Sequence, residues 1–153
     1  MKIAEFLQPH AVVSELAARS KQEVLQELSR AMAAANPALS QERLVNALRE
    51  REKLSSTGIG EGIAIPHAKL SELTQLLASF GVSHPGIDFD AIDGKPTHLF
   101  FALIAPENSA GIHLKALARI SRLFKSAQFR SSIMQAQSAE EIYALIARED
   151  GRS

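Results

Sequence analysis

The apolar run Leu99-Phe100-Phe101-Ala102-Leu103-Ile104-Ala105 limits the folds that this chain can adopt. The run has the length of a strand, and it lacks the polar and apolar alternation that marks a strand with one face in water. A strand of this kind lies in the middle of its sheet and is covered on both faces. The run therefore predicts a sheet with further elements packed against each side.

Helix signals flank the strand region on both sides. Ser20-Lys21-Gln22-Glu23 is a capping box, and apolar residues then repeat at helical spacing until Asn36. Ser40 can cap a second helix, and Ser138-Ala139-Glu140-Glu141 opens the last one. Two helices, strands and then two or three helices predict an α/β sandwich. We expect residues 1–153 to form a single domain, with a mixed β-sheet of about five strands flanked by helices on both faces.

Local patterns add detail to this outline. Residues 11–16 favour a strand or a short helix, and residues 76–82 form a second strand-length run. The turn formers His84-Pro85-Gly86 are expected to end that strand, with a short edge strand around residues 87–89. A helix after Pro106 is expected to carry His113 in its first turn. Its inner face is predicted to hold Leu114, Leu117, Ile120, Leu123 and Phe124.

Composition excludes several classes of function. The chain has 153 residues, 46% of them apolar, which suits one domain that buries about two thirds of its unfolded surface. Seventeen Lys and Arg balance seventeen Asp and Glu, so net charge gives no attraction to nucleic acid. There is no cysteine. No apolar run approaches the roughly 20 residues that span a bilayer, so we expect a cytoplasmic protein without direct membrane insertion.

One segment carries a distinctive pattern that ends in a histidine. Gly58, Gly60 and Gly62 alternate, and glycine permits positive φ and close backbone approach. The apolar residues 63–65 can then anchor as a strand, and Pro66 fixes φ just before His67. The pattern predicts that His67 is presented as a nucleophile. As a hypothesis, N–H groups of Thr57 and the three glycines would cradle a phosphate.

Phosphoryl transfer to a histidine needs a neutral imidazole and positive or N–H-rich surroundings. The attacking nitrogen must keep its lone pair, and the other must be held by an acceptor. Arg51 could supply a permanent charge, and His113 an N–H donor. From spacing alone, each of these two residues is more simply explained as a solvated helix residue.

These residues together resemble a known family. Arg51-Glu52-Lys53-Leu54, Ser56-Thr57-Gly58-Ile59-Gly60, Ile63-Ala64-Ile65-Pro66-His67 and Ile112-His113-Leu114 are similar to motifs of the mannitol/fructose-type enzyme IIA domains. Those domains belong to the bacterial phosphotransferase system. The residues of these motifs are most similar to those of the nitrogen-regulatory branch of the family, and the resemblance covers essentially the whole chain.

The resemblance implies a function and assigns roles. His67 would be phosphorylated on its tele nitrogen by a histidine phosphocarrier protein, with His113 and Arg51 assisting and without a metal or other cofactor. The chain would be a phosphotransferase component that acts mainly as a regulator. Its phosphorylation state would control partners such as potassium transporters or sensor kinases.

Other classes of function remain open at this stage. The chain could be a sugar-specific component that passes phosphate to the cysteine of a IIB domain. It could also be a metal-dependent hydrolase that uses His67, His113 and an Asp, or a binding module without transfer chemistry.

Overall fold

The computed structural model describes residues 1–152. Within them the α-helices are α1 Lys21–Ala35, α2 Gln41–Glu52, α3 Ala110–Leu123, α4 Ala127–Gln135 and α5 Ala139–Gly151. The strands are β1 Val12–Val13, β2 Gly58–Gly60, β3 Ile63–Ala64, β4 His67–Leu70, β5 Leu77–Ile87 and β6 Thr97–Pro106. Two 3₁₀ helices, Ile3–Glu5 and Pro9–Ala11, precede β1. None of the helices in this described part is long and apolar enough to cross a membrane.

The six strands form one mixed sheet in the order β1-β5-β6-β3-β2, and β4 also pairs with β6. β5 is antiparallel to β6, whereas β3 and β4 are both parallel to it. β3 pairs Ile63 with Leu99, and β4 starts further along the same edge by pairing His67 with Leu103. The ladder is interrupted between them at Pro66, which has no N–H to donate. The predicted mixed sheet is confirmed, with six strands rather than about five.

β6 is the central strand that the apolar run predicts. Leu99, Phe101 and Leu103 pack into a core cluster with residues of α3, α4 and α5. The alternate residues Phe100 and Ala102 pack into a second cluster with residues of α1 and α2. Because successive side chains of a strand point to opposite faces, both faces of β6 are buried. The predicted helices on both faces of the sheet are confirmed.

The predicted serine caps are present at three helices. The side-chain oxygens of Ser20, Ser40 and Ser138 each accept a hydrogen bond from the backbone N–H three residues later. The distances are 3.3, 3.1 and 3.1 Å, in that order. In the two capping boxes the glutamate accepts from the residue before the cap. Glu23 accepts from Arg19 N–H at 2.7 Å, and Glu141 accepts from Gln137 N–H at 3.3 Å. Each of these helices therefore starts where its sequence signal places it.

Two expectations about strands and helix faces are wrong. β5 does not end at His84-Pro85-Gly86 but continues to Ile87, so no separate edge strand forms there. The ladder with β6 is irregular between Val82 and Ile87, which lets the proline sit where no N–H is required. In α3 the inward stripe includes His113, Ala116, Ile120 and Leu123, whereas Leu114 is 68% exposed. The helix is rotated so that the histidine lies inside.

A buried carboxylate joins the two ends of the chain. Asp150 in α5 is 2% exposed, and its side chain accepts the Ile3 N–H at 2.6 Å. Arg119 of α3 donates Nε–H to the same carboxylate, and its Nη2 donates to the Asp150 carbonyl at 3.0 Å. The ion pair thus holds the N-terminal 3₁₀ helix against α3 and α5.

We expect Asp150→Ala to lower the free energy of unfolding by about 3 kcal/mol, because it leaves the half-buried Arg119 guanidinium without its carboxylate and the Ile3 N–H without an acceptor. Urea unfolding followed by circular dichroism measures this. Glu107→Ala, which removes an exposed carboxylate, is the control and should change little. Equal losses for the two variants would contradict the structural role given to Asp150.

Candidate functional site

A cavity of about 390 Å³ opens between α2, β4 and α3. It brings together three residues that the sequence predicts as functional, Arg51, His67 and His113. The remaining lining residues are Ala68, Lys69, Ala110, Leu114 and Leu117. Each of the three elements therefore contributes one of the predicted side chains.

His67 is held at the start of β4 by a main-chain acceptor. Its Nδ1 lies 2.7 Å from the Ile65 carbonyl oxygen. A carbonyl can only accept, so Nδ1 carries the proton and donates it. In the neutral ring Nε2 then keeps its lone pair. The half-buried imidazole is thus fixed in the tautomer whose lone pair is on Nε2.

His113 lies beside His67 in an edge-on arrangement. The ring centroids are 5.6 Å apart and the rings are inclined by 74°. His113 is 6% exposed, and its Nε2 finds no hydrogen-bond partner within residues 1–152. Buried polar atoms without a partner are uncommon because they lose their contact with water. Since His113 lines the cavity, this nitrogen is an unused hydrogen-bonding group beside it.

Both histidines are disposed to be neutral at pH 7. Burial is the largest influence and lowers the pKa of His67, whereas the hydrogen bond to the Ile65 carbonyl raises it. The charge of Arg51 lowers this pKa further, and the charge of Glu52 raises it. Burial, followed by repulsion from His67 and Lys69, lowers the pKa of His113 to about 4. A neutral His67 retains the lone pair that nucleophilic attack requires.

Arg51 lies in the last turn of α2 and is fixed by its main-chain surroundings. Its Nη1 donates to the Ser55 carbonyl at 2.9 Å, which uses one of the five N–H groups of the guanidinium. Within the described residues 1–152, no carboxylate forms an ion pair with Arg51. Its positive charge is therefore not neutralised by a neighbour.

The phosphate cradle of Thr57 and the three glycines stays a prediction. Within residues 1–152, none of Thr57, Gly58, Gly60 and Gly62 is in the lining of the cavity. Thr57 is 3% exposed, and both its N–H and its hydroxyl donate to Glu52. Gly60 and Gly62 have φ of 92° and 78° and make the turn that joins β2 to β3. Gly60 and Gly62 thus shape the hairpin that precedes the histidine.

Sequence reasoning missed two residues, one in the lining of the cavity and one behind it. Lys69 lines the cavity because it is two residues after His67 on the same strand, and a period of two puts both on one face. That spacing was a usable signal. Glu52 is 7% exposed and bonds to Thr57, yet in sequence it is one charge among many at the end of α2. Nothing in the pattern separates it from its solvated neighbours.

The structure does not gather the residues of a metal site at this cavity. Among residues 1–152 there is no group of three or more His, Cys, Asp or Glu side chains that could hold a metal ion. The combination of His67, His113 and an Asp is therefore not assembled.

Comparison with known proteins identifies relatives along nearly the whole chain. Residues 5–149 match the family model described as phosphoenolpyruvate-dependent sugar phosphotransferase system, EIIA 2. The nitrogen regulatory protein of Bradyrhizobium diazoefficiens is 38% identical over 147 residues, which are 96% of this chain and 95% of that protein. The fructose-specific EIIABC component of Bacillus subtilis is 36% identical over 150 residues. The match covers 98% of this chain but only 24% of that longer protein.

A solved structure agrees with these relatives. The crystal structure of the nitrogen regulatory protein IIA-Ntr from Neisseria meningitidis superimposes with a TM-score of 0.87 at 35% identity, and the match covers 94% of this chain and 98% of that one. Fold and sequence together thus define a phosphotransfer domain. The chain belongs to the EIIA type 2 family of the phosphotransferase system, and it is similar to the family's nitrogen regulatory proteins.

We expect nuclear magnetic resonance titration to show His67 titrating below 6.5 and His113 near 4. Arg51→Ala should raise the pKa of His67, because removing a nearby positive charge makes protonation easier. Arg51→Lys, which keeps the charge, is the matched control. An unchanged His67 midpoint in Arg51→Ala would contradict the electrostatic contact between the two side chains.

Proposed function

We propose that His67 accepts a phosphoryl group on Nε2 from a histidine phosphocarrier protein, and that this modification regulates the partners of the chain. Residues 1–153 act in this proposal as one EIIA domain. The observation that carries it is the bond from His67 Nδ1 to the Ile65 carbonyl, 2.7 Å long, which leaves Nε2 as the nucleophile. The family membership supplies the class of reaction.

The transfer is a displacement at phosphorus between two imidazoles. The Nε2 lone pair of His67 forms the new P–N bond while the P–N bond of the donor breaks, and the leaving nitrogen keeps that electron pair. The phosphorylated ring of His67 carries a positive charge, which the Nδ1–H shares with the Ile65 carbonyl. No proton has to leave the ring during the step.

The neighbouring side chains stabilise the charge on the moving group. Its three equatorial oxygens are negative in a loose transition state, which positive charges and N–H donors stabilise. Arg51 offers an unneutralised guanidinium, and Lys69 adds a second positive charge at the same cavity. His113 is neutral, and its Nε2–H tautomer would donate a hydrogen bond from a site where that atom has no other partner in residues 1–152.

Regulation follows from the charge that the phosphoryl group adds. A phosphate carries up to about two negative charges at pH 7. Ile112 and Leu114, which flank His113 in the sequence, are 50% and 68% exposed. A partner that covers these apolar side chains would have to bury the new charge, so it would bind only unmodified protein. The similarity to nitrogen regulatory proteins supports a regulatory role. Potassium transporters or sensor kinases are the targets that we propose for it.

The sugar-specific role is the second candidate. It is favoured by the 36% identity to the fructose-specific EIIABC component. In that role the phosphoryl group would leave Nε2 for the cysteine thiolate of a IIB domain. The same histidine chemistry serves both roles, so the acceptor must be tested directly. Transfer from labelled protein to an isolated IIB domain would favour this candidate, and retention of the label would favour the regulatory one.

We expect wild-type protein to take up labelled phosphate from phosphoenolpyruvate, the first phosphotransferase enzyme and a histidine carrier, with a label stable in base and labile in acid. His67→Ala should take up none. His113→Ala should be slowed about 100-fold, because it removes a donor to the transferring group.

The matched control is His10→Ala, which removes an exposed histidine from the second 3₁₀ helix and should label normally. Undiminished labelling of His67→Ala, or an unlabelled wild-type protein, would overturn the assignment.

A further inference from the structure

A continuous set of hydrogen bonds connects a buried ion pair to the ring of His67. Glu52 lies at the end of α2, and its carboxylate accepts the Thr57 N–H at 3.0 Å as well as the Thr57 hydroxyl. The Thr57 carbonyl accepts the Ile65 N–H at 3.0 Å. The Ile65 carbonyl in turn accepts the His67 Nδ1–H at 2.7 Å.

Glu52, the first residue of this series of hydrogen bonds, is itself fixed in the fold. The carboxylate of Glu52 pairs with Lys21 Nζ at 2.9 Å, and the two side chains are 3% and 18% exposed. Lys21 is the first residue of α1, and its ammonium also lies 5.0 Å from the centre of the Phe89 ring. A buried ion pair keeps a defined geometry because either partner alone would be a costly unpaired charge.

We propose that Glu52 is a positioning residue for His67, acting through Thr57 and the main chain of Ile65. This rests on the proposed role of His67 as phosphoacceptor. Glu52 fixes Thr57, the Thr57 carbonyl sets the position of Ile65, and the Ile65 carbonyl selects the tautomer and orientation of the ring. An imidazole without a fixed acceptor distributes between two tautomers, and only the Nδ1–H form has its lone pair on Nε2.

The carboxylate is specifically suited to this task. It accepts from three donors, the Thr57 N–H, the Thr57 hydroxyl and the Lys21 ammonium. An amide has one acceptor oxygen, and its NH₂ group can only donate. Glu52→Gln therefore keeps the size of the side chain. Its NH₂ group, however, must face at least one of these three donors, with which it cannot form a hydrogen bond. Glu52 is not expected to touch the phosphoryl group, because it lies outside the lining of the cavity.

The test compares Glu52→Gln and Thr57→Val with matched controls. Thr97→Val makes the same change at a fully buried threonine whose hydroxyl has no partner within residues 1–152. Asp150→Asn replaces a second buried carboxylate by an amide. The partners of Asp150 take no part in the hydrogen bonds that lead to His67. Each variant is measured for unfolding in urea, for the nitrogen-15 signals of the His67 ring, and for the kinetics of phosphorylation.

We expect Glu52→Gln to lower the maximal rate of phosphorylation about tenfold, with an unchanged KM for the carrier. Thr57→Val should give a smaller fall in the same parameter, since the Thr57 N–H remains. In both variants the His67 nitrogen-15 spectrum should shift away from the pure Nδ1–H tautomer. Thr97→Val and Asp150→Asn should keep the wild-type spectrum and rate, whatever they do to stability.

Wild-type spectra and rates in folded Glu52→Gln and Thr57→Val would overturn the proposal. If Glu52→Gln does not fold, the comparison of Thr57→Val with Thr97→Val decides. The nitrogen-15 spectra are recorded without a phosphoryl donor, so they test the positioning role separately. Failure of the wild-type protein to be phosphorylated would instead overturn the proposed function.

Discussion

The burial of β6 on both faces is the constraint on which the rest of the structure depends. Its side chains alternate between two core clusters, so helices must cover the sheet on each side. Its two edges are also occupied, by β5 on one side and by β3 and then β4 on the other. Pro66 divides the second edge, and the strand resumes at His67. The histidine is thus placed at the middle of the sheet by backbone pairing with the most buried strand.

The candidate site combines this rigid support with residues from two different helices. α2 ends near the cavity and brings Arg51, and the first turn of α3 brings His113. Neither helix pairs with β4 through main-chain bonds, so the apolar packing on opposite faces of the sheet fixes the spacing of these side chains. The electrostatics follow from the same packing, since burial is the leading cause of the lowered pKa of both histidines.

Most of the fold could be predicted from sequence because its signals are local. Serine caps, the apolar run of β6 and the helical repeats each report on a few neighbouring residues. The errors arose where tertiary contacts decide. Leu114 has the apolar character of an inward residue, but packing places His113 there instead. The strand β5 passes through a proline and a glycine because its register with β6 shifts there, so no donor is required.

The candidate site also divides into residues that sequence motifs reveal and residues whose contacts only the structure reveals. His67, His113 and Arg51 could be predicted because the family motifs contain them, and the structure places all three at one cavity. The cradle of Thr57 and the glycines could not be judged from sequence, since only the structure shows that Thr57 donates to Glu52 and that Gly60 and Gly62 form a turn. Glu52 was missed because burial, rather than residue type, gives it a partner.

The bond to the ring of His67 has an acceptor that belongs to the backbone. Every amino acid at position 65 carries the same carbonyl, so no exchange of side chain there can delete it. An alanine scan would register position 65 only as lost packing, and a catalogue of sequence variation would show it as one more apolar core residue. The atom that orients the His67 ring is in this sense invisible to both methods, and isotope labelling of the main chain is the approach that can detect it.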